Sequence, residues 1–217
     1  MARALFGIET ALDGEVVLFG KRLLLRSPAD AMASGIYLMP EDRREQGLIL
    51  GMSVRENITL PYLSRYSFLG WILRHRERSV SSRQCRALNL AVPSQDTPVQ
   101  HLSGGNQQKV VLGKWLQSRT AVVIFDEPTR GIDVGAKDEI YRLIRRLAAE
   151  GTIILIISSD LQELMSVSDR IAVMREGMMA GTLARSEFDE AAIMRLAVGA
   201  SAASSAGPED HPAHLSS

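Results

Sequence analysis

Val122-Val123-Ile124-Phe125-Asp126-Glu127-Pro128-Thr129 is an apolar run that ends in two adjacent carboxylates and then breaks at a proline. A run without polar alternation reads as a strand buried on both faces, so Ala121 to Phe125 is placed inside a sheet with helices on either side. The sequence that follows supports this. Ala136 to Leu147 has helical periodicity, and Thr152 to Ile157 is apolar again. Strand, helix, strand in this order implies a parallel sheet. Open sheets of this kind bind ligands beyond the carboxyl ends of their strands, which is where Asp126 and Glu127 fall.

Upstream of this unit, Leu102-Ser103-Gly104-Gly105-Asn106-Gln107-Gln108-Lys109 directly precedes an apolar helix, Val110 to Leu116. Paired glycines let a phosphate approach the backbone, the Ser103 hydroxyl can donate, and the free amides at a helix start favour an anion. Alone, the same residues could be an ordinary Ser-Gly-Gly helix cap, and Asp-Glu-Pro-Thr a plain strand exit. Their conjunction points to phosphoryl chemistry, in which one carboxylate holds Mg²⁺ and the next orients the attacking water.

Further out, Met1 to Phe6 reads as the tail of a helix closed by Gly7. Glu15 to Phe19 and Leu23 to Leu25 suggest a hairpin, Ser27-Pro28 opens a helix that Gly35 closes, and Ile36 to Met39 is another strand. After a charged loop from Glu41 to Gly47, Ser53-Val54-Arg55-Glu56 has capping-box spacing. Residues from about Pro61 read as a small helical subdomain extending to about residue 118. Arg170 to Met174 and Met178 to Leu183 resemble a further hairpin, and Asp189 to Val198 a helix. The stretch 200–217, rich in Ser, Ala, Pro and His, is expected to be disordered.

In composition, 217 residues with 46% hydrophobic content suit one substantial core. Lys plus Arg balances Asp plus Glu at 25 each, which gives no global field for nucleic acid. One cysteine, Cys85, forms no internal disulfide and fits a reducing compartment. No run approaches the roughly 18 apolar residues of a membrane span. His75, His101, His211 and His214 lack metal-ligand spacing, and Arg74-His75-Arg76-Glu77-Arg78 reads as a solvated helix face rather than a surface for nucleic acid or lipid headgroups.

LSGGNQQK, a strand ending in DEPT, and then Arg130-Gly131-Ile132-Asp133-Val134-Gly135-Ala136-Lys137 resemble the ABC ATPase family. Tyr37 through Met39-Pro40-Glu41-Asp42-Arg43-Arg44, Gly47-Leu48 and Met52 to Asn57 resemble the second nucleotide-binding half of monosaccharide importers of the ribose and galactose type. The resemblance covers about residues 1–199. It implies an α/β fold of the ABC type: a mostly parallel sheet flanked by helices, an antiparallel hairpin edge and a helical subdomain.

The resemblance also implies roles. Ser103, Gly104 and Gly105, with Gln107, form the signature that meets ATP held by an opposite domain. Asp126 binds Mg²⁺ and Glu127 is its catalytic neighbour. Glu41 stands at the Q-loop position, near metal and nucleotide, and Asp133 belongs to the D-loop. Ser159 occupies the place of the switch histidine. Serine supplies no imidazole for the γ-phosphate charge, so this half is expected to be degenerate.

No G-x-x-x-x-G-K-[ST] occurs: Gly20-Lys21 is followed by Arg22, and Gly113-Lys114 by Trp115. The resemblance therefore implies a chain that begins shortly after the Walker A loop, without the strand that feeds it. Such a chain alone is expected to be inactive as an ATPase. Its implied cofactors are ATP and Mg²⁺. Its implied partners are a second nucleotide-binding domain, fused or separate, a transmembrane permease and, through the permease, a periplasmic sugar-binding protein, but no nucleic acid. The implied location is cytoplasmic, on the inner face of the cell membrane. ABC-type ATPases that act on DNA or ribosomes, and an inactive gene fragment, are the alternative readings. DNA-repair ATPases of this kind insert long coiled coils where only about sixty residues separate Glu41 from Leu102.

Overall fold

A computed structural model describes residues 1–10, 13–117 and 120–199. In chain order the elements are α1 (Ala2–Leu5), β1 (Val16–Leu18), β2 (Lys21–Leu23), α2 (Pro28–Ala33), β3 (Ile36–Met39), α3 (Val54–Thr59), β4 (Ser67–Phe68), β5 (Trp71–Ile72), α4 (Arg74–Ala87), α5 (Gly104–Trp115), β6 (Val122–Asp126), α6 (Val134–Ala149), β7 (Ile153–Ile157), α7 (Leu161–Val167), β8 (Arg170–Arg175), β9 (Met178–Ala184) and α8 (Glu190–Val198). Contacts divide the chain into two units, Met1–Glu163 and Leu164–Ser217.

The first unit is built on a parallel sheet of order β3-β6-β7, with Ile36 opposite Val122 and Val122 opposite Ile153. Successive residues of a strand point to opposite faces. On one face, Met39, Val123 and Phe125 join Val110, Val111, Ile140 and Ile144 of α5 and α6 in the main core. On the other, Ile36, Leu38 and Ile124 pack with Ala2, Phe6 and Ala31. Two covered faces explain why β6 shows no polar alternation. A fully buried side chain such as Phe125 contributes about 1.5–3 kcal/mol.

Local signals set the helix starts. Ser27 accepts from the Asp30 amide with Pro28 in the first turn, and Ser53 and Glu56 form the expected capping box. The loop after β3 winds into a π-helical turn, Arg43–Gly47, capped by the Asp42 carboxylate.

The stretch from Pro61 to Gln117 holds two features that the sequence reading does not contain. It contains a short hairpin, β4 against β5, turned at Leu69-Gly70. Arg74, His75, Arg76 and Arg78 of α4 are exposed, but Glu77 is 3% exposed. Its carboxylate pairs with Nη1 of Arg55 and accepts the Thr59 hydroxyl at 2.8 Å, while Nε of Arg55 reaches Asp96 at 2.9 Å. The expectation of a solvated face fails at this position, because Arg55 on α3 compensates a carboxylate that the helix turns inward.

In the second unit, β8 pairs antiparallel with β9 across a bulge at Val173/Met174. α8 follows, capped by Asp189 and closed by left-handed Gly199. Among the described residues no helix is long and apolar enough to cross a membrane. His75 and His101 are exposed, while His211, His214 and the stretch 200–217 lie outside the described residues.

Candidate functional site

Ser103 caps α5 with extended backbone, and its hydroxyl oxygen accepts from the side-chain amide of Asn106 at 3.1 Å and the backbone amide at 3.4 Å. Gly104 and Gly105 occupy the first turn, whose N–H groups no intrahelical carbonyl can reach. The requirement for glycine is steric. A Cβ on Gly105 would lie 2.9 Å from Cβ of Ala136 on α6, and one on Gly104 would lie 2.7 Å from Nη2 of Arg43. Gln107 is placed apart from this turn. It is 4% exposed, and its Nε2 donates to the Val99 carbonyl at 3.1 Å, tying α5 to the segment before it.

Arg43 was not singled out by spacing, yet it joins three motifs. Its Nη1 donates to the Arg130 carbonyl at 2.8 Å and its Nη2 to the Gly131 carbonyl at 3.1 Å, while the same guanidinium abuts Gly104. Burial holds its pKa below the ordinary arginine value, helped by Arg44. Beside it, Glu41 forms an ion pair with Arg130. Glu41, Asp42, Arg43, Arg44 and Arg130 line a cleft of about 270 Å³. Asp133 caps α6 through the Ala136 amide at 3.3 Å. The loop after β3, the Ser103-Gly104-Gly105 turn and the Arg130-Gly131 segment therefore meet at one guanidinium.

The strand-end site is separate. Asp126 closes β6 opposite Ile157, and Glu127 adopts φ 48°, a left-handed conformation that costs a non-glycine residue free energy. Two bonds hold it there: its amide donates to the Ile157 carbonyl at 2.8 Å, and its carboxylate accepts the Ser159 backbone N–H at 2.8 Å. Burial, reinforced by the Glu127 charge, pushes the Asp126 carboxyl above its usual range. Nearby, Lys137 of α6 pairs with Asp160 at 3.2 Å, and Thr129 donates to the buried Glu163 at 2.7 Å. The amide of Glu163, with Lys137 adding to it, holds Asp160 below the ordinary carboxylate range.

Asp126, Glu127 and Ser159 thus converge, as do Ser103, Gly104, Gly105 and Gly131, while Glu41 is engaged with Arg130. Among the described residues no three His, Cys, Asp or Glu side chains cluster as a metal cage. The adjacent carboxylates of Asp126 and Glu127 at the strand end fit Mg²⁺, which takes one or two carboxylates and completes its shell with phosphate and water. A helix start with an exposed hydroxyl on Ser103 and small residues behind it likewise fits a phosphate.

Residues 1–130 match the family model described as ABC transporter. A ribose import ATP-binding protein of Rubrobacter xylanophilus is 49% identical over 210 residues, covering 97% of this chain and 40% of that protein. An arabinose import ATP-binding protein of Pseudomonas syringae pv. syringae is 46% identical over 197 residues, covering 90% and 39%. The chain spans about two fifths of the length of these curated relatives. Among solved structures, a nucleotide-free ATP-binding cassette from an ABC transporter superposes with TM-score 0.71 at 21% identity, covering 84% of this chain and 74% of that one. A dimeric ATP-binding cassette bound to ADP and Pi gives TM-score 0.69 at 17% identity, covering 85% and 78%. These likenesses establish the fold.

Proposed function

The chain belongs to the ABC transporter family, and from that premise we propose that it serves a monosaccharide importer as part of the ATP-binding subunit, chiefly by lending its signature to ATP held by a second nucleotide-binding domain. The observation that carries this reading is the Arg43 junction. One side chain fastens the signature turn to the Arg130-Gly131 carbonyls, so that the two segments expected to face an opposite domain are held as one piece. In this role the Ser103 hydroxyl and the amides of Gly104 and Gly105 meet the γ-phosphate.

Asp126 would hold Mg²⁺ and Glu127 would place a water at the chain's own site; Mg²⁺ when bound offsets the phosphate charge. At that site the group bonding Glu127 is the backbone of residue 159, and the serine side chain offers no cation. This supports an unequal division between the two sites. The implied setting is the cytoplasmic face of a membrane carrying the permease, with a binding protein acting from the other side. The sugar-import names of the relatives at 46–49% identity support a pentose or related sugar as cargo.

The test compares Gly104→Asp with Glu127→Gln in the reassembled transporter, reading ATPase rate and sugar uptake in membrane vesicles at matched expression. A carboxylate about 4 Å from the γ-phosphate, in a site with little water, is worth several kcal/mol, enough for about a thousandfold loss. Glu127→Gln is expected to cost much less. Loss of turnover with Glu127→Gln and tolerance of Gly104→Asp would overturn the signature-donor reading.

A further inference from the structure

A carboxylate is seldom buried without a partner, because leaving water costs it more than most contacts return. Glu163, the third residue of α7, is 2% exposed, and Thr129, two residues beyond Glu127, is 3% exposed. The Thr129 hydroxyl donates to Oε1 of Glu163 at 2.7 Å, and the Tyr141 hydroxyl hydrogen-bonds with both side chains. For stability alone, a well-packed apolar pair would serve at least as well. What this carboxylate joins is therefore informative.

It joins the two segments that fix Glu127, and the contacts between them form a closed ring. The Glu127 carboxylate accepts the Ser159 N–H at 2.8 Å, and the next residue, Asp160, accepts the Glu163 N–H on Oδ1 at 3.1 Å. Glu163 in turn takes the Thr129 hydroxyl, and Pro128 returns the chain to Glu127. Lys137 of α6 pins the ring from outside, on the other oxygen of Asp160 at 3.2 Å. Hydrogen bonds and short stretches of chain thus surround a residue whose φ of 48° is costly unless its surroundings impose it. Of the three hydrogen bonds in the ring, only the one between Thr129 and Glu163 is fully buried. A bond out of water is the hardest to exchange for a solvent one, so the exposed links lean on it.

We propose that Thr129 and Glu163 are positioning residues for Glu127: their buried bond holds the Glu127 carboxylate against the backbone of residue 159. This deepens the reading of Glu127 as the group that places a water at the chain's own site, and rests on that reading for its chemical meaning. The geometry itself does not need it.

The experiment is amide hydrogen exchange of the isotope-labelled 217-residue chain, without nucleotide, read at Ser159 and at Ile124. Ile124 lies in the middle strand of the sheet, where exchange follows global stability, so the ratio of the two rates isolates local opening. Thr129→Val keeps the shape and deletes the donor; it should speed exchange at Ser159 at least about tenfold relative to Ile124. Thr129→Ser restores the hydroxyl and should bring that ratio back to within about threefold of the parent. Glu163→Ala deletes the acceptor and should act as Thr129→Val does, even if it also lowers the melting temperature. Because the effect passes through Glu127, Thr129→Val placed on Glu127→Ala should add less than about twofold. A rise shared equally by Ser159 and Ile124, an unchanged ratio in Thr129→Val, a failed rescue by serine, or full additivity with Glu127→Ala would overturn the proposal and leave the bond a contribution to stability alone. Measured without nucleotide or permease, these outcomes are decided separately from the comparison of Gly104→Asp with Glu127→Gln that tests the transport reading.

Discussion

Replacing Gly104 by alanine tests whether the Arg43 junction is rigid. The added Cβ would lie 2.7 Å from Nη2 of Arg43 and 3.2 Å from the Gly131 carbonyl oxygen, against an ordinary contact of about 3.5 Å. The guanidinium must retreat by most of an ångström, yet both its Nη atoms are committed to carbonyls. Bonds from a charged donor contribute about 1.5–3 kcal/mol each, and the lower figure suits a half-exposed group. Loss or distortion of the pair, less the gain of alanine over glycine in a helix, leaves a net destabilisation of about 2 kcal/mol. Arg43→Ala should cost a similar amount by itself.

In the double variant the nearer obstacle to the Cβ is gone and only the milder 3.2 Å approach to the Gly131 oxygen remains, so Gly104→Ala should add little to Arg43→Ala. Urea denaturation of the chain and its three variants gives the coupling energy, expected at about 1–2 kcal/mol. Additivity within about 0.5 kcal/mol would refute the reasoning, since the glycine would then owe nothing to the arginine.

Two further outcomes follow from charges inside the first unit. Lys114 is 9% exposed, its Nζ donates to the Gly47 carbonyl, and burial pushes its pKa down to about 8; the protonated form is disfavoured in the fold, so the cost is full below pH 8 and fades as pH rises toward about 10.5. Lys114→Met should therefore compare best with the parent at pH 7 and fall behind by about 3 kcal/mol at pH 10.5, and a pH-independent difference in urea melts would contradict the assigned burial. Glu77→Gln should destabilise by about 2–3 kcal/mol because it strips Arg55 of its buried counter-charge, whereas a value within about 0.5 kcal/mol in the same melts would return that position to the solvated face read from the sequence.

The parallel sheet was legible because β3 and β6 are buried on two faces and the edge strand β7 is half-buried on both, and burial writes itself into consecutive residues. Ser53 with Glu56 was legible for a different reason: a cap is made by residues three apart. What escaped depends on distant partners. Arg43 finds its carbonyls 87 and 88 residues downstream, and the Arg55–Glu77 pair joins two helices, so neither leaves a periodic trace. The β4–β5 hairpin has strands of two residues, too short for alternation to register. Gln107 lies inside the Leu102–Lys109 motif, but helix phase turns its amide inward to Val99, which a string of letters does not display.

The two halves of the candidate site are secured by different means, and this bears on the chemistry each can do. At the strand end, Glu127 is fixed by the backbone of residues 157 and 159, so its position survives whatever side chain stands at 159. Under the proposed reading, serine there supplies no cation, while the carboxylate stays in place. At the signature, position depends on side chains and on their absence: Arg43 must be present, and Gly104 and Gly105 must lack Cβ atoms for the guanidinium and Ala136 to approach. Sequence change at 159 therefore degrades chemistry while the architecture stands, whereas change at 43, 104 or 105 disturbs the architecture itself. A chain that keeps the second set intact while holding serine in the first supports the proposal that it presents a surface to another domain's nucleotide more than it turns over its own.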